Sequence, residues 1–162
     1  MSEQMIKKVL ITGANGFIGG SLMRYYQNQG QDVVGVDLVG NGNDIIEGDI
    51  AQPDSISNVL QECDVIIHTA ALVSNAMQDS DMWRVNVLAT RNLIEAAKEH
   101  KVRRFVQISS VVAYGNSAEG ELDESQPVHA DGGSYVLTKL ASEHVVLGAQ
   151  ANDDIEVVIL RP

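Results

Sequence analysis

Tyr135 and Lys139 stand four residues apart in "SYVLTKLASEHVVLGAQ", and Ser110 closes the apolar run "RRFVQISS". Residues four apart in a helix share a face, so this phenol and this ammonium can approach one another. Together they suit proton-transfer chemistry. Moving a tyrosine from a pKa of ~10 to ~7 takes about 4 kcal/mol. An ammonium at ~4 Å supplies roughly that at an effective dielectric near 20. A phenol so shifted is a general base poised near neutral pH. By itself the pair equally fits a solvated helix surface. Ser110 adds weight, because α/β sheets place their ligands at strand ends.

A second group of residues speaks for phosphate. In "VLITGANGFIGG" an apolar run stops in glycines, with Gly13, Gly16 and Gly19 at every third position. Gly13 suits a tight turn with positive φ. Gly16, lacking Cβ, lets a pyrophosphate approach the backbone, and Gly19 lets the next helix pack closely on the strand. The helix N-terminus then offers free N–H groups and a positive dipole end. Asp37 closes the second apolar run, eighteen residues after Gly19. An acid there accepts hydrogen bonds from adenosine ribose hydroxyls and repels a 2′-phosphate. No Arg or Lys follows in "DLVGNGND", so NAD is favoured over NADP.

These residues need a scaffold, and the chain alternates two periodicities. Strand-length runs "KVLITG", "DVVGVD", "DVIIHTAA", "RRFVQISS" and "IEVVILRP" are separated by helix-period segments. The predicted helices cover Phe17 to about Gln27 (Ile18, Leu22 and Tyr25 or Tyr26 near one face), a short one in "PDSISNVLQEC", 81–99 and 134–150. The strands read as apolar on both faces, as covered parallel strands should. A doubly wound α/β parallel sheet with helices on both faces is the expected fold. The longest loop, Gly115 to Gly133, is expected to be exposed and mobile.

Bulk properties narrow the partners. The chain has 162 residues, enough for one domain, and 44% are hydrophobic. Net charge is −11 with no basic block, which argues against nucleic acid or anionic membrane. No apolar stretch approaches a membrane span, and "MSEQMIKK" lacks the apolar core of a signal peptide. The single cysteine, Cys63, can form no internal disulfide, so a cytoplasmic setting is expected. No Cys/His/acid spacing suggests a metal site. Cys63 and Trp83 are expected to pack, His68, at a strand end, to be packed or hydrogen-bonded rather than a base, and His129 to be exposed. Glu119, Glu121, Asp123 and Glu124 read as a solvated loop.

The ordered set "TGANGFIGG", "EGDI", "HTAA", "RVNVLATRNLIEAA", "ISSVVAYG" and "YVLTK" resembles the extended branch of the short-chain dehydrogenase/reductase superfamily, the NAD-dependent epimerase/dehydratase family. The resemblance covers essentially the whole chain. It implies a Rossmann fold and cofactor contacts at Gly13, Asn15, Gly16, Phe17, Ile18, Gly19, Asp37, Asp49, Ile50, Thr69, Ala70, Ala71, Asn86, Tyr135 and Lys139. It also implies that Tyr135 transfers the hydroxyl proton. Lys139 lowers the tyrosine pKa and holds the nicotinamide ribose, and Ser110 positions the substrate oxygen. Ser109 competes with Ser110, and strand alternation sends the two to opposite faces. The family carries the role four residues before the Tyr of "AYG", which selects Ser110.

The resemblance implies hydride transfer on a small molecule, by a nucleotide-sugar epimerase or a sterol- or flavonol-type dehydrogenase/reductase. Dehydration is disfavoured, because Val111 and Val112 stand where 4,6-dehydratases of the family carry Asp-Glu. A homodimer through the helices near 81–99 and 134–150 is implied as well. In the family a substrate lobe of similar length follows the "LRP" reached here at Arg161-Pro162, so residues 1–162 are expected to be the cofactor domain without that lobe. The interval from Asp37 to Asp49 is short, so the helix usual there is expected to be trimmed. The rival reading is a non-catalytic NAD-binding regulator on the same fold.

Overall fold

The computed structural model describes residues 6–73, 79–115, 121–150 and 155–162. Six parallel strands form one sheet in the order β3-β2-β1-β4-β5-β6. They are β1 (Val9–Thr12), β2 (Val33–Asp37), β3 (Ile45–Glu47), β4 (Val65–His68), β5 (Arg104–Ile108) and β6 (Glu156–Leu160). The order reverses between β1 and β4, whose register pairs Thr12 with His68. A crevice for ligands opens at such a switch point, beyond the carboxyl ends of the strands.

Strand alternation feeds two cores. Leu10, Ile66 and Phe105 point to one face, and Ile11, Ile67 and Ile108 to the other. The first face is covered by α2 (Ser57–Glu62), α4 (Thr90–Glu99) and α5 (Gly133–Gln150). In α4 the buried Thr90, Leu93, Ile94 and Ala97 follow the i, i+3, i+4, i+7 rule. The second face is covered by α1 (Phe17–Asn28), which inserts Met23.

Several expectations are met and several corrected. The helix expected over 81–99 is continuous from Asp79. It runs as α3 (Asp79–Trp83), a π-helical stretch Arg84–Ala89, and α4. No helix joins β2 to β3, as the short interval predicts. β3 itself was not anticipated. It has three residues, and it forms because β2 offers a free edge, with Gly35 paired to Ile45. Ile18 and Tyr25 do not lie on the buried face of α1. They are 40% and 58% exposed, and Gly19 and Met23 face the sheet instead. Trp83 is 45% exposed rather than packed. β6 is not covered on both faces: as the edge strand of this sheet it leaves Leu160 half exposed.

The bland readings hold for Cys63 and His68. Cys63 is buried, and burial pushes its thiol up to about 12. His68 is buried between Thr12 Oγ1 (2.6 Å from Nδ1) and Thr90 Oγ1 (2.9 Å from Nε2). Burial, with Lys139 nearby, lowers its pKa to about 3, so it stays neutral. In the long loop, residues 121–132 form no helix or strand, His129 is exposed, and Glu119 lies outside the described residues. No helix is long and apolar enough to cross a membrane, and no cluster of metal-ligating side chains occurs, among the described residues.

Candidate active site

The glycine loop leaves β1 and enters α1 by steric necessity. Gly13 has φ +68°, and a Cβ there would lie 2.8 Å from Ala70 backbone atoms. A Cβ on Gly19 would lie 2.1 Å from the Gly13 carbonyl oxygen. Both glycines are therefore demanded by packing alone, before any ligand. Gly16 caps α1 with no side-chain hydrogen bond, and the first turn of α1 holds no acid. The N–H groups of Phe17, Ile18 and Gly19 begin the helix without a side-chain cap, an arrangement that favours an anion.

Beside this loop lies a cleft of about 540 Å³. It is lined by Gly13, Asn15 and Gly16 from the loop, Asp37 from β2, Asp49 and Ile50 after β3, and Thr69, Ala70 and Ala71 after β4. Nine expected cofactor residues, scattered in sequence, thus share one concavity. Asp37 takes the Asn15 N–H (2.9 Å) and the Leu38 N–H (2.8 Å), which ties the β2 end to the glycine loop. Asn15 Nδ2 donates to the Val39 carbonyl at 2.7 Å. Asp49 Oδ1 accepts from the Ala51 N–H. Thr69 uses its hydroxyl on the Thr12 carbonyl at 2.6 Å, so it offers the cleft its backbone.

The remaining expected contacts behave differently. Phe17 is 93% exposed, so its side chain leaves the cleft and only its backbone faces the loop. Gly19 is buried under Gly13. Asn86 is held by the protein itself. It is buried, its Oδ1 accepts the Leu72 N–H (2.7 Å), and its Nδ2 donates to the Leu72 carbonyl (3.0 Å) and Thr138 Oγ1 (3.1 Å). Both amide hydrogens are spent on the protein, which holds the segment after β4 against α5.

Ser110, Tyr135 and Lys139 do not line this cleft; Ser110, after β5, hydrogen-bonds Tyr135 on α5, and Lys139 reaches the Ile108 carbonyl at the end of β5. Ser110 is half-buried and Ser109 buried, and both follow the last residue of β5, Ile108. Burial raises the half-buried Tyr135 phenol above its ordinary value, and hydrogen bonding from Ser110 opposes this only in part. The Lys139 ammonium donates to the Ile108 carbonyl at 2.7 Å, and burial pushes it down to about 8, which Glu143 opposes.

Sequence reasoning missed three residues here. Glu143 is buried, receives the Ser109 hydroxyl, and is held by Arg161 through Nε (3.0 Å) and Nη2 (2.8 Å). Arg161 also donates from Nη1 to Tyr114 Oη at 2.9 Å. The available signal was an acid amid the apolar residues of "LASEHVVLG", one turn after Lys139. Also missed was Arg84, a cation that lines the same cleft as Asp37 and Asp49 and lies 3.8 Å from Asp81 Oδ1.

The profile of the NAD dependent epimerase/dehydratase family matches residues 9–162. The chain belongs to that family. Similar curated proteins include a dTDP-glucose 4,6-dehydratase of Streptomyces niveus, 30% identical over 95% of this chain and 52% of its own. Another is the sterol-4-alpha-carboxylate 3-dehydrogenase of Candida albicans, 31% identical over 100% of this chain and 51% of its own. Among solved structures, UDP-glucuronic acid 4-epimerase from Bacillus cereus in complex with NAD superposes with a TM-score of 0.83 at 32% identity, over 95% of this chain and 56% of that one. The chain therefore spans about half the length of the relatives it matches. The fold is the NAD-binding Rossmann fold of the family, and the family's cofactor is NAD.

Proposed function

We propose that this chain is the NAD-binding portion of an oxidoreductase or epimerase that transfers hydride at a hydroxyl-bearing carbon of a nucleotide sugar. The observation that supports it most is the shared cleft, in which a glycine loop, an uncapped helix start and Asp37 converge. These residues fit NAD. The helix start and the Cβ-free Gly16 accommodate a diphosphate, Asp37 accepts from ribose hydroxyls, and Ile50 and Leu38 offer apolar contact to adenine. Arg84 brings a positive charge to a chain whose net charge is −11, which favours a dianionic diphosphate.

When bound, NAD supplies the hydride acceptor or donor. The residues of this chain do the rest. Tyr135 Oη takes the proton of the substrate hydroxyl, or returns it in the reverse direction. Ser110 Oγ holds the same oxygen. Lys139, one turn along α5, provides the positive charge that favours the phenolate and steadies the nicotinamide ribose. Val111 and Val112 supply no acid or base for eliminating water, which favours epimerisation or oxidation over dehydration. The nucleotide sugar rests on the epimerase likeness, and the proposed homodimer on the exposed Trp83, Leu88 and Leu137 along its helices.

Calorimetric titration with NAD and NADP tests the cofactor reading. NAD should bind more tightly, and no measurable affinity for either would sink it. Asp37→Asn keeps an acceptor for the Asn15 N–H and removes the charge. It is expected to weaken NAD roughly tenfold, the equivalent of about 1.4 kcal/mol, while NADP gains. An unchanged NAD/NADP ratio would remove Asp37 from the specificity argument.

A further inference from the structure

Two buried charges on α5 point the same way. Lys139 and Glu143 are one turn apart and are 4% and 2% exposed. We propose that Glu143 is a positioning residue for the Ser110–Tyr135–Lys139 centre: gripped by Arg161 and Ser109, its carboxylate serves as the countercharge of Lys139 and pins the segment that carries Ser110. The inference rests on the reading of those three residues as the reacting centre.

The geometry brackets Ser110 from both sides. Glu143 accepts the hydroxyl of Ser109, the residue before it. Arg161, bidentate on Glu143, bonds Tyr114 at the far end of the 3₁₀ turn Val111–Tyr114. The backbone follows the same plan, with the Ser109 N–H on the Leu160 carbonyl (2.7 Å) and the Val111 N–H on the Pro162 carbonyl (3.0 Å). Lys139 closes the arrangement on the Ile108 carbonyl. Residues 108–114 are thereby held by α5 and by the end of β6.

Anchoring alone does not call for charge, since a buried ion pair is often matched in stability by apolar side chains. The charge has a use at Lys139. The groups acting on this ammonium are Glu143 on its own helix, the neutral His68 on β4, and the Ile108 carbonyl on β5, with Arg161 bonded to Glu143. Glu143 is the anion among them. Burial drives the Lys139 proton off, and Glu143 works against that. Without the carboxylate, the buried ammonium loses its countercharge and the lysine gives up its proton at lower pH.

The test follows the Lys139 titration itself, by NMR of protein labelled at lysine Cε, with Lys139→Met to assign the signal. The native midpoint is expected near pH 8. Glu143→Gln keeps the shape and removes the charge, and should lower that midpoint by about one pH unit, the scale of one charge at close range. Glu143→Asp keeps the charge and should stay near the native value, even if it melts earlier. A folded Glu143→Gln protein with a native midpoint overturns the proposal, as does an Asp variant that falls as far as Gln. If the Gln variant does not fold, Arg161→Gln decides. Freed of its partner, Glu143 then acts on Lys139 alone and raises the midpoint, and an unmoved midpoint is a refutation. NAD titration of the same native sample separates the two readings. Absence of NAD binding defeats the proposed function, whereas an unmoved Lys139 midpoint with NAD binding intact defeats only the role of Glu143.

Discussion

Gly19→Ala is expected to destabilise the chain by about 3 kcal/mol, lowering the melting temperature by roughly 6–12 °C. The added methyl would sit 2.1 Å from the Gly13 carbonyl oxygen and 2.8 Å from its carbon. Neither atom can yield cheaply. Gly13 donates its N–H to the Val36 carbonyl (2.9 Å), its oxygen receives the Gly16 N–H (2.9 Å), and its Cα region abuts Ala70. Relief therefore requires α1 to lift from the sheet, which withdraws Met23 from the core. The same movement displaces the N–H groups of Phe17, Ile18 and Gly19, so NAD affinity should fall more than about tenfold. Gly148→Ala is the control. Nothing lies within 4 Å of a Cβ there, and the site is an exposed helical position. It should gain up to about 1 kcal/mol from helix propensity. Thermal melts followed by circular dichroism read both. A Gly19→Ala melt within about 2 °C of the parent would contradict the close approach of α1 to the loop.

Tyr135→Phe is the second large effect. The ring is kept and only Oη is lost, so the fold and NAD affinity should hold, while NAD-linked turnover falls ~10²–10⁴-fold. The structure supplies its own contrast in Tyr114, whose hydroxyl accepts from Arg161 inside the buried network. Tyr114→Phe should cost about 1 kcal/mol of stability through the lost hydrogen bond and far less turnover than Tyr135→Phe. The measurement is nicotinamide absorbance with UDP-glucuronic acid as probe, on the full reading frame. Equal loss in the two variants, or none in Tyr135→Phe, would take the proton-transfer role from Tyr135.

Some of this was legible in the residues. The glycine spacing announced the loop because a backbone that needs φ +68° at Gly13 and no Cβ at Gly19 leaves few choices of residue. The doubly apolar runs around Leu10–Ile11 and Ile66–Ile67 announced a covered parallel sheet. Illegible in the same residues was β3, too short to carry a period.

The sequence by itself determined the order of elements, the glycine loop, the acid at the end of β2 and the tyrosine–lysine pair on one helix face. These are local matters, set by periodicities, sterics and spacings within a few residues. Only the tertiary structure decided which residues share a cleft, and how charges balance beneath the reacting group. Glu143 and Arg161 are eighteen residues apart, and Arg161 and Tyr114 forty-seven, yet one buried network joins them. Burial also raises the Tyr135 phenol and lowers the Lys139 ammonium, which donates to the Ile108 carbonyl. Desolvation depends on everything packed around a group, and no spacing along the chain encodes it.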